Sequence, residues 1–235
     1  MINTRAYAKR VLAGFYLPFA FLVLSTCTAS GQENSISFLS GGSWKLAPQS
    51  DVPQSGEQIS ATGFSTVSWL AAQVPGTVFG SYVLAGKEKD PNFGDNIYQV
   101  DVLKYDRNFW YRTDFSVPEA YQGRRIWLNL DAVNRDADVY VNGNKVGSMH
   151  GFLQRGRFDV TRLVKIGEKN SLAVLDYVPV LVGKDDAEMR KEIGEEQKTS
   201  RGPVFVSKEN YSSPAFICAR GWDWMPPVPG LDMGI

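Results

Sequence analysis

Near its carboxyl end the chain reads Arg220-Gly221-Trp222-Asp223-Trp224-Met225-Pro226-Pro227, a carboxylate set between two indoles and stiffened by two prolines. That combination suits a sugar. A pyranose offers an apolar C–H face that an indole can cover, and vicinal hydroxyls from which a carboxylate accepts charge-assisted hydrogen bonds worth roughly 1.5–3 kcal/mol each. The competing reading is a buried aromatic corner in which Asp223 accepts from backbone amides.

Other reactive groups are sparse. His150 is the sole histidine, and neither a cysteine nor a second histidine stands near it at ligand spacing, so no metal centre is expected around it. The acidic run Asp185-Asp186-Ala187-Glu188 with Glu192, Glu195 and Glu196 lacks the glycine-centred spacing of a calcium loop. It reads as a solvated short helix or as a loop against a neighbouring domain. No cofactor is implied, and no residue is assigned a catalytic role.

The elements that must position Asp223 are strands. In Asp138-Val139-Tyr140-Val141-Asn142-Gly143-Asn144, Val139 and Val141 face one way and Tyr140 the other, and Asn-Gly supplies two residues that tolerate positive φ, so a β-hairpin is expected. Ile126, Leu128 and Leu130 alternate with polar or amphipathic neighbours, as do Phe158/Val160 and Leu172/Val174. A single antiparallel sheet is expected to collect all of them. Ser43 to Leu46 reads as the first strand, and residues 47–66, rich in Ser, Gln, Gly and Pro, as a loop excursion over the surface. Thr77 is placed to cap a short helix running to Leu84 and stopped by Gly86. In the strand from Asp106 to Phe115, Trp110, Tyr111 and Phe115 read as packing residues and Arg112 as a structural ion-pair donor.

The order of these elements resembles the N-terminal sugar-binding domain of glycoside hydrolase family 2. Similar too are Val74-Pro75-Gly76-Thr77-Val78, the Asp90-Pro91 turn, the Trp110-Tyr111-Arg112 core of a strand and the Trp222-Asp223-Trp224 loop, the last resembling the β-mannosidase and exo-β-glucosaminidase branches. The resemblance covers Trp44 to Ile235. It implies an all-β fold, a jelly-roll β-sandwich of the galactose-binding-domain-like type with short helical turns. It implies that Asp223 contacts a terminal β-linked sugar, with Trp222 and Trp224 shaping the wall and Asn96 and Asp95 offering polar groups towards it. For Asp95 and Asn96 the alternative is hydrogen bonding to their own turn. Family members are retaining enzymes whose two catalytic glutamates stand about 5–5.5 Å apart in a separate barrel. None of Glu168, Glu188, Glu192, Glu195, Glu196 and Glu209 sits in a matching motif, so residues 202–235 are expected to lead towards an immunoglobulin-like domain and a barrel that this sequence does not contain, and the chain alone is expected to be an inactive fragment.

Composition agrees with one sizeable core and limits the partners. The chain has 235 residues, 43% of them hydrophobic, and 25 basic residues balance 25 acidic ones, so no basic stripe points to nucleic acid. Arg5, Lys9 and Arg10 precede an apolar stretch from Val11 to Leu24 that is too short, and too interrupted by Gly14 and Pro18, for a membrane span. Residues 1–31 are therefore expected to be a signal peptide, 32–43 a linker and 44–235 the sugar-binding domain. Two processing routes fit: cleavage after Ala29 or Gly31, or lipoprotein processing with the lipid on Cys27 and the membrane reached only through that anchor. Cys218 reads as a small buried hydrophobe. The expected setting is periplasmic or secreted, and the expected partners are a carbohydrate and the remaining domains of the same enzyme. The alternative from another class is a free-standing, non-catalytic carbohydrate-binding module.

Overall fold

The computed structural model describes residues 39, 41–101, 104, 105, 107–151, 154–178, 234 and 235, all within a compact unit spanning Phe38–Ile235. Most of the regular structure is strand. A six-stranded antiparallel sheet is built from β1 (Lys45–Pro48), β2 (Leu70–Ala71), β3 (Phe109–Ser116), β5 (Asp136–Val141), β6 (Asn144–His150) and β8 (Lys169–Tyr177), in the order β2-β1-β3-β8-β5-β6. The remaining strands, β4 (Trp127–Leu130) and β7 (Gly156–Asp159), pair only with each other. Two short helices, α1 (Gly56–Ile59) and α2 (Val78–Leu84), complete the frame.

The single-sheet expectation is thus corrected. Alternation tells which residues share a face of a strand, but it does not choose the partner strand. Leu128, Leu130 and Phe158 do turn inward, yet they reach the core from the second sheet. There they pack on a cluster that includes Phe109, Tyr111, Val139, Val141, Leu172 and Val174 of the first sheet. Two sheets facing across one apolar layer form a sandwich-like arrangement.

The opposite face of the large sheet is also covered, which corrects the reading of residues 47–66 as a surface excursion. Val52 and Ile59 are buried there with Trp69, Trp110, Tyr140, Ala173 and Leu175. Inside that stretch Ser55 and Gln58 form a capping box that starts α1, each side chain taking up the other's backbone amide. Gly56 lies against the ring of Tyr140, where a Cβ would come within 2.3 Å of the ring. Arg112, buried beneath, donates from Nε to the Ile59 carbonyl at 2.9 Å and from an Nη to that of Ala61 at 3.2 Å, and pairs with Asp114 at 3.0 Å. A guanidinium satisfying carbonyls at the end of a helix explains a buried charge without any catalytic duty.

The hairpin forms as read. Asn142 and Gly143 take φ of 48° and 83°, and Val139 and Val141 face the inner core while Tyr140 faces the outer cluster. Asn142 does more than turn the chain. Its side chain donates to the Leu163 carbonyl and to Asn170 Oδ1, and accepts from the Ser171 amide. Asn170 in turn accepts from the Lys165 amide and donates to the Lys165 and Glu168 carbonyls.

Candidate functional site

At the far end of β5 from the hairpin, three stretches distant in sequence meet through their backbones. The Gly76 amide donates to the Ile235 carbonyl at 3.1 Å, and the Asn134 amide donates to the Gly234 carbonyl at 3.1 Å. Gly234 forms antiparallel bridges with both Thr77 and Asn134. The approach is so close that a Cβ on Gly234 would stand 2.1 Å from the Gly76 carbonyl oxygen, so only glycine fits. Residues 234 and 235 therefore lie as a short rung between the Val74–Thr77 block and the Asn134–Arg135 turn.

The helix that follows this clasp is positioned as its sequence dictates. Thr77 Oγ1 accepts from the Gly80 amide at 2.9 Å, capping α2, and Val78 and Phe79 are fully buried. Tyr82 meets Tyr105 edge to face at 5.2 Å, and Phe79 meets Tyr105 at 5.1 Å. Glu88 then closes the loop, accepting from Lys104 Nζ and, at 2.7 Å, from the Tyr105 hydroxyl. Burial alone would raise the Glu88 carboxyl, but the two hydrogen bonds and the Lys104 charge outweigh it and hold it below its usual range. The Tyr105 phenol is pushed well up, by burial first and then by the bond to Glu88.

The loop carrying Asp95 and Asn96 springs from this closure. Asp90 Oδ1 accepts from the Asn92 amide and side chain, and Asn96 Nδ2 donates to the Asp90 carbonyl at 2.9 Å. The Asn96 amide group is thus engaged within its own turn, while Asn92, Phe93 and Asp95 are exposed. Trp222, Asp223 and Trp224 lie outside the described residues, as do Cys27, Cys218 and the acidic run from Asp185.

Two further groups lie at this end: Asp176, which the sequence leaves unmarked, and His150, already set aside there as a metal ligand. Asp176 is fully buried on β8 opposite Phe109 and Ala137, and its charge adds to burial in raising the Tyr111 phenol. His150 Nδ1 stands 3.3 Å from Asp136 Oδ1, with Arg135 Nε 3.7 Å from the other oxygen. Nothing in the alternation marks Asp176, because an acid on the inner face reads as a break in the pattern. The clasp had one readable sign, a glycine at 76 and another at 234, but nothing in the spacing links them.

The described carboxylates with shifted acidity share a direction. Glu88, Asp138 and Asp159 are all held below their usual range. For Asp138 burial acts the other way and is outweighed by bonds from Lys145, Ser148 and Tyr177; for Asp159 the Thr161 hydroxyl and amide dominate. A general acid needs the opposite shift, so these groups serve as anions and acceptors. Among the described residues no group of three or more His, Cys, Asp or Glu could hold a metal ion.

The described residues thus form a mostly-β, sandwich-like frame with a backbone clasp at one end. Comparison with known proteins places it. Residues 44–235 match the family model described as the glycosyl hydrolase 2 galactose-binding domain-like domain, and the chain belongs to that family. It is 28% identical over 203 residues to a mannosylglycoprotein endo-beta-mannosidase of Lilium longiflorum, covering 82% of this chain and 19% of that protein. It is 33% identical over 122 residues to an exo-beta-D-glucosaminidase of Amycolatopsis orientalis, covering 51% of this chain and 12% of that protein. The crystal structure of the Amycolatopsis orientalis exo-chitosanase superposes on 59% of this chain and 16% of its own, with a TM-score of 0.54 at 29% identity. The chain therefore spans about a fifth or less of the length of the relatives it matches.

Proposed function

We propose that this chain is the N-terminal carbohydrate-binding domain of an exported, retaining exo-β-glycosidase that hydrolyses β-mannoside, glucosaminide or galactoside ends. In this reading the domain has the jelly-roll form. It supplies substrate contacts through Asp223, walled by Trp222 and Trp224 and flanked by Asn96 and Asp95, while the catalytic glutamates belong to a barrel outside these 235 residues. Export proceeds through residues 1–31, to the periplasm or beyond, with lipidation at Cys27 as the alternative processing outcome.

The observation that carries the reading is the family match over residues 44–235, which takes in the Trp222-Asp223-Trp224 stretch. The Gly76–Gly234–Asn134 clasp adds that residues 234 and 235 pair beside the block that resembles the family's Val-Pro-Gly-Thr-Val. In this reading the Asp223 carboxylate accepts hydrogen bonds from sugar hydroxyls. It has no part in bond cleavage. The lily relative is named as an endo-acting enzyme, so the exo mode is the component of the proposal most exposed to test.

The test begins with the DNA beyond the codon for Ile235. An open frame encoding a barrel is expected, and its intact product should cleave p-nitrophenyl β-glycosides. In that product Asp223→Ala should lower kcat/KM by about 10²–10³, the worth of roughly 3–4 kcal/mol of transition-state binding. A stop directly after Ile235, together with tight glycan binding by the chain alone, would replace this account with a free-standing carbohydrate-binding module. An Asp223→Ala enzyme as active as its parent would remove the assigned contact.

A further inference from the structure

The small sheet turns one face to the core and leaves the other bare. Leu128 and Phe158 point inward, so their strand neighbours Trp127, Asn129, Arg157 and Asp159 point out, and all four are exposed. Among the described residues Trp127 is one of the few large apolar side chains at the surface, with 37% of its area open. Arg157, diagonal to it across the ladder, holds its guanidinium 4.3 Å from the indole centroid. Such stacking fixes the orientation of a group that otherwise moves freely.

The charge around this stack is one-sided. Arg125 Nε lies 3.8 Å from Asp159 Oδ2, and the Asp159 carboxyl also feels Arg162. Asp159 Oδ1 is already used by Thr161, whose hydroxyl donates at 2.6 Å and whose amide donates at 3.1 Å. Among the described residues, Arg125 and Arg162 act on the hydrogen-bonded Asp159 and Arg157 stands two positions before it on the same strand, while the exposed Asp131 beyond β4 lies 3.7 Å from Arg155. The chain as a whole is neutral, so the excess belongs to this face and does not express a generally basic protein.

We propose that the outer face of β4 and β7 binds acidic glycans, sugar chains carrying uronate carboxylates, with the Trp127–Arg157 stack as its platform. Carboxylates match the planar donor fork of arginine in a two-point bond that lysine cannot copy. The open part of the indole and Asn129 suit the ring face and hydroxyls of the same sugars. A nucleic acid would call for a longer basic track than Arg157 on one short ladder with Arg125 and Arg162 beside it. This inference makes no use of Asp223, so the two readings stand or fall separately.

The 235-residue chain can be run in affinity electrophoresis and titration calorimetry against polygalacturonate, neutral β-mannan and single-stranded DNA at low ionic strength. Retardation by polygalacturonate alone is expected, lost as salt approaches about 0.5 M, where the screening length falls below about 5 Å. Arg157→Ala and Arg157→Lys should each weaken it at least tenfold, since lysine keeps the charge and loses the fork. Arg125→Gln, at a side chain 73% exposed and so harmless to folding, should weaken it several-fold. The proposal is overturned by no retardation in polygalacturonate, by equal retardation in mannan, by equal binding to DNA, or by an Arg125→Gln/Arg157→Lys double variant that binds like the parent with an unchanged melting midpoint.

Discussion

At one end of β5, side-chain amides tie the hairpin down; at the other, backbone amides and carbonyls hold residues 234 and 235 in place. Asn142 and Asn170 tie the hairpin to β8 and to the turn at Leu163–Lys165, and Ser60 Oγ accepts from the Gly143 amide. At the opposite end of the strand, Gly76, Asn134 and Gly234 hold one another through amides and carbonyls, with no room for a side chain at Gly234. The first arrangement is a rigid corner whose members also belong to the main sheet. The second is a local clasp on a terminal segment. Loss of the corner should unfold the domain, whereas loss of the clasp should free one segment and leave the sandwich standing.

The contrast can be broken by substitution. Asn142→Ala removes three side-chain hydrogen bonds and puts a Cβ-bearing residue without local support at positive φ, so a loss of about 3 kcal/mol is expected in urea unfolding. Asn142→Gly keeps the turn and should cost about 1 kcal/mol less. Gly234→Ala should cost no more than about 1–2 kcal/mol globally, while amide exchange at Gly76 and Asn134 accelerates. An equal global loss from Gly234→Ala and Asn142→Ala would abolish the distinction. Thr77→Ala, beside the clasp, should cost about 1 kcal/mol through the lost cap of α2.

The smallest effect sharpens the comparison through pH. Glu88 closes the loop beside α2 and has a carboxyl lowered from 4.5, so it favours the folded state above that value. The contribution disappears as pH falls below 4.5 through the lower folded value. Glu88→Gln should therefore be less stable than the parent at neutral pH, and the gap should narrow on acidification. A gap independent of pH would assign the role of Glu88 to packing.

The legible parts of this fold are those whose cause is local. Asn142-Gly143 demands a positive-φ turn, and Thr77 stands where a helix needs an acceptor; both act within a few residues. Ser55 and Gln58 were equally local, yet their capping box was obscured by the polar run around it, and the buried Val52 and Ile59 were too few to show a period. The pairing of β4 with β7 and the Gly76–Gly234 clasp depend on which distant backbones meet. Alternation carries no such information. Of the site, Asp95 and Asn96 lie on the exposed turn anticipated from Asp90-Pro91, with the Asn96 amide turned to its own loop. The platform at Trp127 was missed because an arginine two positions before Asp159 looks like ordinary surface until the strands are paired.

Central to this account is a domain that touches a sugar but holds only part of its pocket. Calorimetric titration of the 235-residue chain with mannose, glucosamine and galactose, run beside an assay of p-nitrophenyl β-glycosides, tests this most directly. The account predicts dissociation constants of about millimolar or weaker, corresponding to roughly 4 kcal/mol, and no turnover. Micromolar binding abolished by Asp223→Ala, or glycoside cleavage by these residues alone, would contradict it.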